Sequence, residues 1–116
     1  MEIRTVKKED GKSITSAGIK AWLKDNRGGL LITDRQVGKS RALFELLHEE
    51  DDSFILACCR NMRNNLRCKY KELFDDGKEE RIVLYSGKPD MSKYYIDEYL
   101  SHKIAHKHFR GAVSSD

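Results

Sequence analysis

Residues 28–46 read GGLLITDRQVGKSRALFEL. Leu30, Leu31 and Ile32 make a short apolar run that predicts a buried strand. A polar loop, 33–37, follows. Gly38-Lys39-Ser40 comes next, and Ala42, Leu43, Leu46 and Leu47 then recur at helical spacing. Strand, loop, Gly-Lys-Ser, helix is the order of a phosphate-binding loop. Gly38 lets the backbone approach an oxygen-rich ligand without a Cβ clash. Lys39 can reach the β and γ phosphates, and Ser40 can place a hydroxyl on Mg²⁺. The helix start offers free N–H groups and the positive end of its dipole. Contacts to a nucleotide are therefore expected from Arg35, Gln36, Val37, Gly38, Lys39, Ser40 and Arg41. The usual first glycine of GxxxxGK[ST] falls at Thr33. An ordinary strand-to-helix turn would instead make Ser40 an N-cap and leave Lys39 in solvent.

The 116 residues suffice for one domain with one modest core. Charged residues make up 35%, so most helix faces must be solvated, and the formal net charge of +3 does not by itself indicate a nucleic-acid partner. No apolar run reaches the length of a membrane span, and the first residues, MEIRTVKKEDGK, lack the apolar core of a secretory signal. A cytoplasmic location is expected. Cys58, Cys59 and Cys68 are an odd set with no CxxC pair, which argues against a disulfide framework or a zinc site, and Cys58 and Cys59, in an apolar run, read as buried reduced thiols.

Outward from the loop, residues 1–13 read as a charged arm or short edge strand. Ile19, Trp22 and Leu23 fall on one face of a helix over 14–25, with Ser13 or Thr15 as its cap. Trp22 reads as a core anchor rather than a stacking platform for a base. Residues 53–59, SFILACC, predict a strand covered on both faces, which completes a parallel βαβ unit. A helix over 60–75 carries Met62, Leu66, Tyr70 and Leu73 on one face. Arg60, Arg63, Arg67 and Lys71 form a basic stripe on another, suited to a phosphate backbone. Residues 81–86 predict a strand. The link GKPDMSK looks too short for a parallel crossover, so that strand is expected antiparallel to the next or at the sheet edge. Residues 101–116 read as a short basic helix and a fraying tail. The fold class expected is α/β: a small three-layer, mostly parallel sheet of the phosphate-loop NTPase kind, with helices on both faces.

A phosphate loop needs a carboxylate from elsewhere in the sheet. The run Tyr94–Ile96 ends in Asp97-Glu98. Asp97 can hold Mg²⁺ together with Ser40, and Glu98 can polarise an attacking water as general base. Both should lie at the strand ends where open α/β sheets bind ligands.

DRQVGKS also resembles the deviant Walker A of phage terminase large subunits, the ATP-driven motors that package DNA. Their loop often reads [SP]RQxGK[ST] and lacks the first glycine. The resemblance implies that Arg35, Gln36, Gly38, Lys39 and Ser40 match the motif and that Arg35 senses the γ phosphate. FILACCRNMRNNLRCKY is similar to the family's strand and basic helix, and RIVLYSGKPDMSKYYIDEYL to its stretch ending in Asp-Glu. It spans residues 15 to 100 and implies ATP and Mg²⁺ as ligands, Lys39, Arg35 and Glu98 as catalytic residues, and a packaging- or helicase-like role. Double-stranded DNA and a homo-oligomer or partner supplying missing ATPase elements would follow. The family's coupling motif and later strands are not expected after Leu100, so the chain reads as a truncated or miniature form.

The competing expectation is a small phage-type binding protein without catalysis, using the fold to bind nucleic acid through the basic stripe or to bind a host protein. A third, metal binding by His102, His106 and His108, rests on an i, i+4 pair on a tail helix.

Overall fold

The computed structural model describes residues 6–9, 15–33, 38–87, 91–104, 106 and 108–115. Among them, six strands form one sheet. They are β1 (Val6–Glu9), β2 (Leu30–Thr33), β3 (Phe54–Leu56), β4 (Ile82–Val83), β5 (Tyr94–Ile96) and β6 (Gly111–Ser115). Their order is β1-β2-β6-β5-β3-β4, and every pair is parallel. Side chains alternate between the two faces, as the strand period requires. Leu31, Ile55, Tyr95 and Val113 point into one core cluster; Leu30, Leu56, Ile96 and Ala112 point into the other.

The first face is covered by α1 (Ser16–Asp25), α2 (Lys39–Glu49) and α3 (Arg60–Leu73). Their buried residues, among them Ile19, Leu23, Leu43, Leu47 and Tyr70, complete that cluster. Met91, Phe109 and the short 3-10 turn Tyr99–Ser101 cover the second face, with Tyr99 half-buried against it. Thr15 caps α1, its hydroxyl accepting from the Gly18 amide at 3.2 Å. Trp22 packs against the core beside Gly29, where a Cβ would stand 2.7 Å from the indole, so the ring is an anchor.

Two expectations change. Residues 81–86 hold only the two-residue β4, which lies at the sheet edge but parallel to β3. Because β4 ends at Val83, residues 84–93 carry the chain back, and about 33 Å of extended reach suffices to skip one strand. Among the described residues of the tail no α-helix forms, and Gly111–Ser115 is a central strand between β2 and β5. The short edge strand expected within 1–13 is β1.

At the strand-start edge, a charged network ties β6 down. Arg110 donates to Glu50 at 2.9 Å and to Asp52 at 3.1 Å. The buried Tyr95 hydroxyl donates to Glu50 at 2.7 Å and accepts from Arg27 at 2.6 Å. A partner left alone there would be costly, because unpaired half-buried charges lose hydration without compensation.

Asp76 fastens α2 to α3: its carboxylate meets His48 Nδ1 at 2.7 Å and accepts from the Tyr70 hydroxyl at 2.8 Å and the Lys78 amide at 3.0 Å. Burial pulls its pKa up, but the hydrogen bonds from His48, the Lys78 amide and Tyr70 outweigh it and hold the carboxyl below its ordinary value.

Two outcomes test this arrangement. A chain ended at residue 109 should lose cooperative thermal unfolding, since β2 and β5 are then left unpaired; a retained sharp transition would contradict a central β6. Asp76 binds fewer protons folded than unfolded, so its contribution is present above about pH 4 and fades as pH falls. Asp76→Asn should therefore lower the melting temperature at pH 7, with the difference shrinking towards about pH 3 in a melting series.

Candidate nucleotide site

Ser115 at the end of β6 and residues just past the ends of β3 and β5 line a cavity of about 580 Å³. Its first wall is the start of α2, from Gly38 to Arg41. Gly38 sits at φ +92°, a left-handed conformation, and a Cβ there would come 2.9 Å from the Ser16 Cβ. The glycine is thus required twice, by the turn and by the close approach of α1. It, not Ser40, caps α2, and Lys39 is only 6% exposed. The ordinary-turn alternative, with a capping Ser40 and a solvated Lys39, does not describe this turn. Ser40 is half-buried. Arg41 lines the rim but turns its Nε to Glu45 at 3.2 Å, a helical i, i+4 pair. Arg35, Gln36 and Val37 lie outside the described residues. The last described residue before them, Thr33, has a buried hydroxyl with no hydrogen-bond partner among the described residues.

Asp97 and Glu98 line the same cavity. Sequence spacing could not place them there; the sheet order does. Asp97 follows β5, donates its amide to Leu56 O at 3.1 Å and is 3% exposed. Burial, and then the neighbouring Glu98 charge, push its carboxyl up to about 7, against the pull of Lys39 and Lys69. Glu98 adopts φ +49°, an uncommon conformation for a residue with a Cβ. Its carboxylate accepts from the Ser115 amide at 3.3 Å and the Ser115 hydroxyl at 3.0 Å. Ser114 Oγ in turn accepts from the Leu100 amide at 3.1 Å. The end of β6 therefore holds the turn that carries both acids.

Ser115 and Lys69 are site residues that the sequence did not reveal. Ser115 was hidden by the reading of the tail as frayed. Lys69 falls on the flank of the apolar face of α3 that lies away from the basic stripe. A helical stripe through Met62, 65, 66 and 69 would have found it, once the cavity side of α3 was known. The basic stripe itself is partly committed to the fold. Arg67 Nε donates to Ile82 O at 2.9 Å, which braces β4, and Arg63 turns to its neighbour Asn64 at 3.2 Å. Arg60 and Lys71 are exposed.

The histidines do meet, but on no helix. His102 Nε2 donates to Asp97 O at 2.9 Å, which leaves Nδ1 to accept from His106 Nε2 at 3.2 Å. Burial lowers both pKa values. His108 is exposed. Among the described residues, no group of three or more His, Cys, Asp or Glu could hold a metal ion. The cysteines are free, as expected, but Cys58 is only half-buried and Cys59 is exposed, so neither is the buried thiol their apolar run suggested; Cys68 is exposed too. Cys58 stands in the cavity wall, and burial, then Cys59, raise its thiol pKa.

Comparison with protein-family models, curated proteins and solved structures gave no match. No described helix is long and apolar enough to cross a membrane.

Asp97 offers a direct check on the electrostatics. Folded, it holds its proton until about pH 7; unfolded, it releases it near 3.8. Stability should therefore fall as pH rises through that window, with the whole burial cost in place above it. Asp97→Asn, which cannot ionise, should raise the melting temperature at pH 8 and leave it nearly unchanged at pH 4. Equal effects at both values would contradict a buried, reluctant carboxylate.

Proposed function

We propose that this chain is an ATP-binding protein of the phosphate-loop kind, similar to the ATPase core of a phage DNA-packaging terminase, with Mg²⁺-dependent binding and hydrolysis coupled to nucleic acid. The observation that carries the reading is the pairing of a buried lysine on a glycine-capped helix with two carboxylates from β5 across one cavity. Burial of opposite charges with space between them fits a polyanion and its cation better than it fits a core. The unsatisfied Thr33 hydroxyl at the root of the loop points the same way.

Ser40 and Asp97 offer the oxygen donors that Mg²⁺ prefers. When bound, the ion neutralises charge developing on the phosphates. Lys39 binds the β and γ phosphates, and the α2 amides behind it receive the same oxygens. Glu98 accepts a proton from the attacking water, its carboxylate aimed by Ser115. Arg35 is the proposed γ-phosphate sensor from within the loop. Arg60 and Lys71 are the members of the basic stripe open to a DNA backbone, and a ring of copies or a partner would complete a motor.

One observation favours binding without turnover: both oxygens of Glu98 already accept hydrogen bonds from Ser115. Two variants separate the readings. Lys39→Ala should abolish Mg-ATP binding in a calorimetric titration, a loss on the order of a hundredfold or more for a buried phosphate-binding cation. Glu98→Gln should keep binding and stop phosphate release. Undiminished binding by Lys39→Ala would overturn the site, while an inert wild type with intact binding would select the non-catalytic form.

A further inference from the structure

The cavity has a wall that the loop and the carboxylates do not account for. Met62, Asn65, Leu66 and Lys69 of α3 all line it. Their spacing, i, i+3, i+4, i+7, is one helical stripe, so α3 presents a continuous face to the site. Two members are apolar, and Leu66 is buried in the core. The other two, Asn65 and Lys69, stand one turn apart and are exposed. Neither makes a hydrogen bond or ion pair with the rest of the described chain, unlike Arg67 of the same helix, whose guanidinium is held by Ile82 O. Lys69 lies close enough to Asp97 to draw on its charge.

We propose that Lys69, assisted by Asn65, binds the terminal phosphoryl group of the nucleotide from the α3 side and makes the site prefer a triphosphate over a diphosphate. This rests on the nucleotide reading of the cavity and adds the residue that recognises the last phosphate. The charge balance supports it. The lining carries Lys39, Arg41 and Lys69 against Asp97 and Glu98. Arg41 is turned to Glu45, so the cations facing the two acids are Lys39 at the loop and Lys69 across from it. The terminal phosphoryl is the group that reaches furthest from the loop towards the metal-side acids, and Lys69 lines the same cavity as those acids. A base would need an apolar platform, which the Asn65–Lys69 pair does not offer.

Calorimetric titration with Mg-ADP and with the magnesium complex of a non-hydrolysable β,γ-imido triphosphate tests this, using the full chain. Lys69→Ala removes no structural contact, so the variant should fold as the parent does. Its affinity for the triphosphate analogue should fall on the order of tenfold, as for one charge-assisted contact at a partly exposed site, with Mg-ADP affinity unchanged. Lys69→Arg should restore most of the preference. If Lys69→Ala weakens both nucleotides equally, or neither, the proposal is overturned and the phosphate loop stands. If the wild type binds neither, or Lys39→Ala binds both as well as the wild type, the nucleotide reading itself fails and this proposal with it.

Discussion

The insertion of β6 between β2 and β5 is the constraint on which the molecule depends. Its register places Ser115 beside Thr33 on one side and Ala112 beside Ile96 on the other. Those pairings set how far the end of β2 stands from the acids after β5. A slip of one residue would turn Val113 out of the helix-side core and expose the wrong face of the strand. Both neighbours are buried on two faces, so the register is strongly specified. The same strand also delivers the two serines that hold Glu98 and the Leu100 amide.

The two edges of the sheet treat charge differently. Where the strands begin, Glu50, Tyr95, Arg27, Arg110 and Asp52 satisfy one another within the chain. That edge is closed, and burial forces the Tyr95 hydroxyl to stay protonated, with Glu50 adding to the effect. Where the strands end, a lysine and an aspartate are buried at a cavity, a glutamate is bent into a left-handed turn, and a threonine hydroxyl has no partner. Such features cost stability and persist only when the surrounding packing enforces them. Their concentration at one edge, around one cavity, is the physical ground on which the proposed ligand is placed there.

Much of this was legible in the residues. The helices α1, α2 and α3 follow from apolar spacing, because a helix face is a local property of residues three and four apart. The strands β2, β3 and β5 follow from short apolar runs, because both faces of a central parallel strand are covered. Gly38-Lys39-Ser40 announced a turn that could receive phosphate, and Asp97-Glu98 a strand end rich in charge. Other features were misread for an equally physical reason. GAVSS is small and mild, and its strand character comes from pairing with β2 and β5 rather than from its own composition. Arg67 reads as a solvated cation until the carbonyl of Ile82 is brought beneath it.

The chain's own pattern therefore determined the α/β class, the helices and the core strands, all of which are set by neighbours within a few residues. The tertiary structure alone decided strand order, the central place of β6, the meeting of Lys39 with Asp97 and the turning of Lys69 to the cavity. Each depends on contacts between segments dozens of residues apart. Such contacts arise from hydrogen-bond pairing and burial over the whole sheet, which no local window of sequence contains.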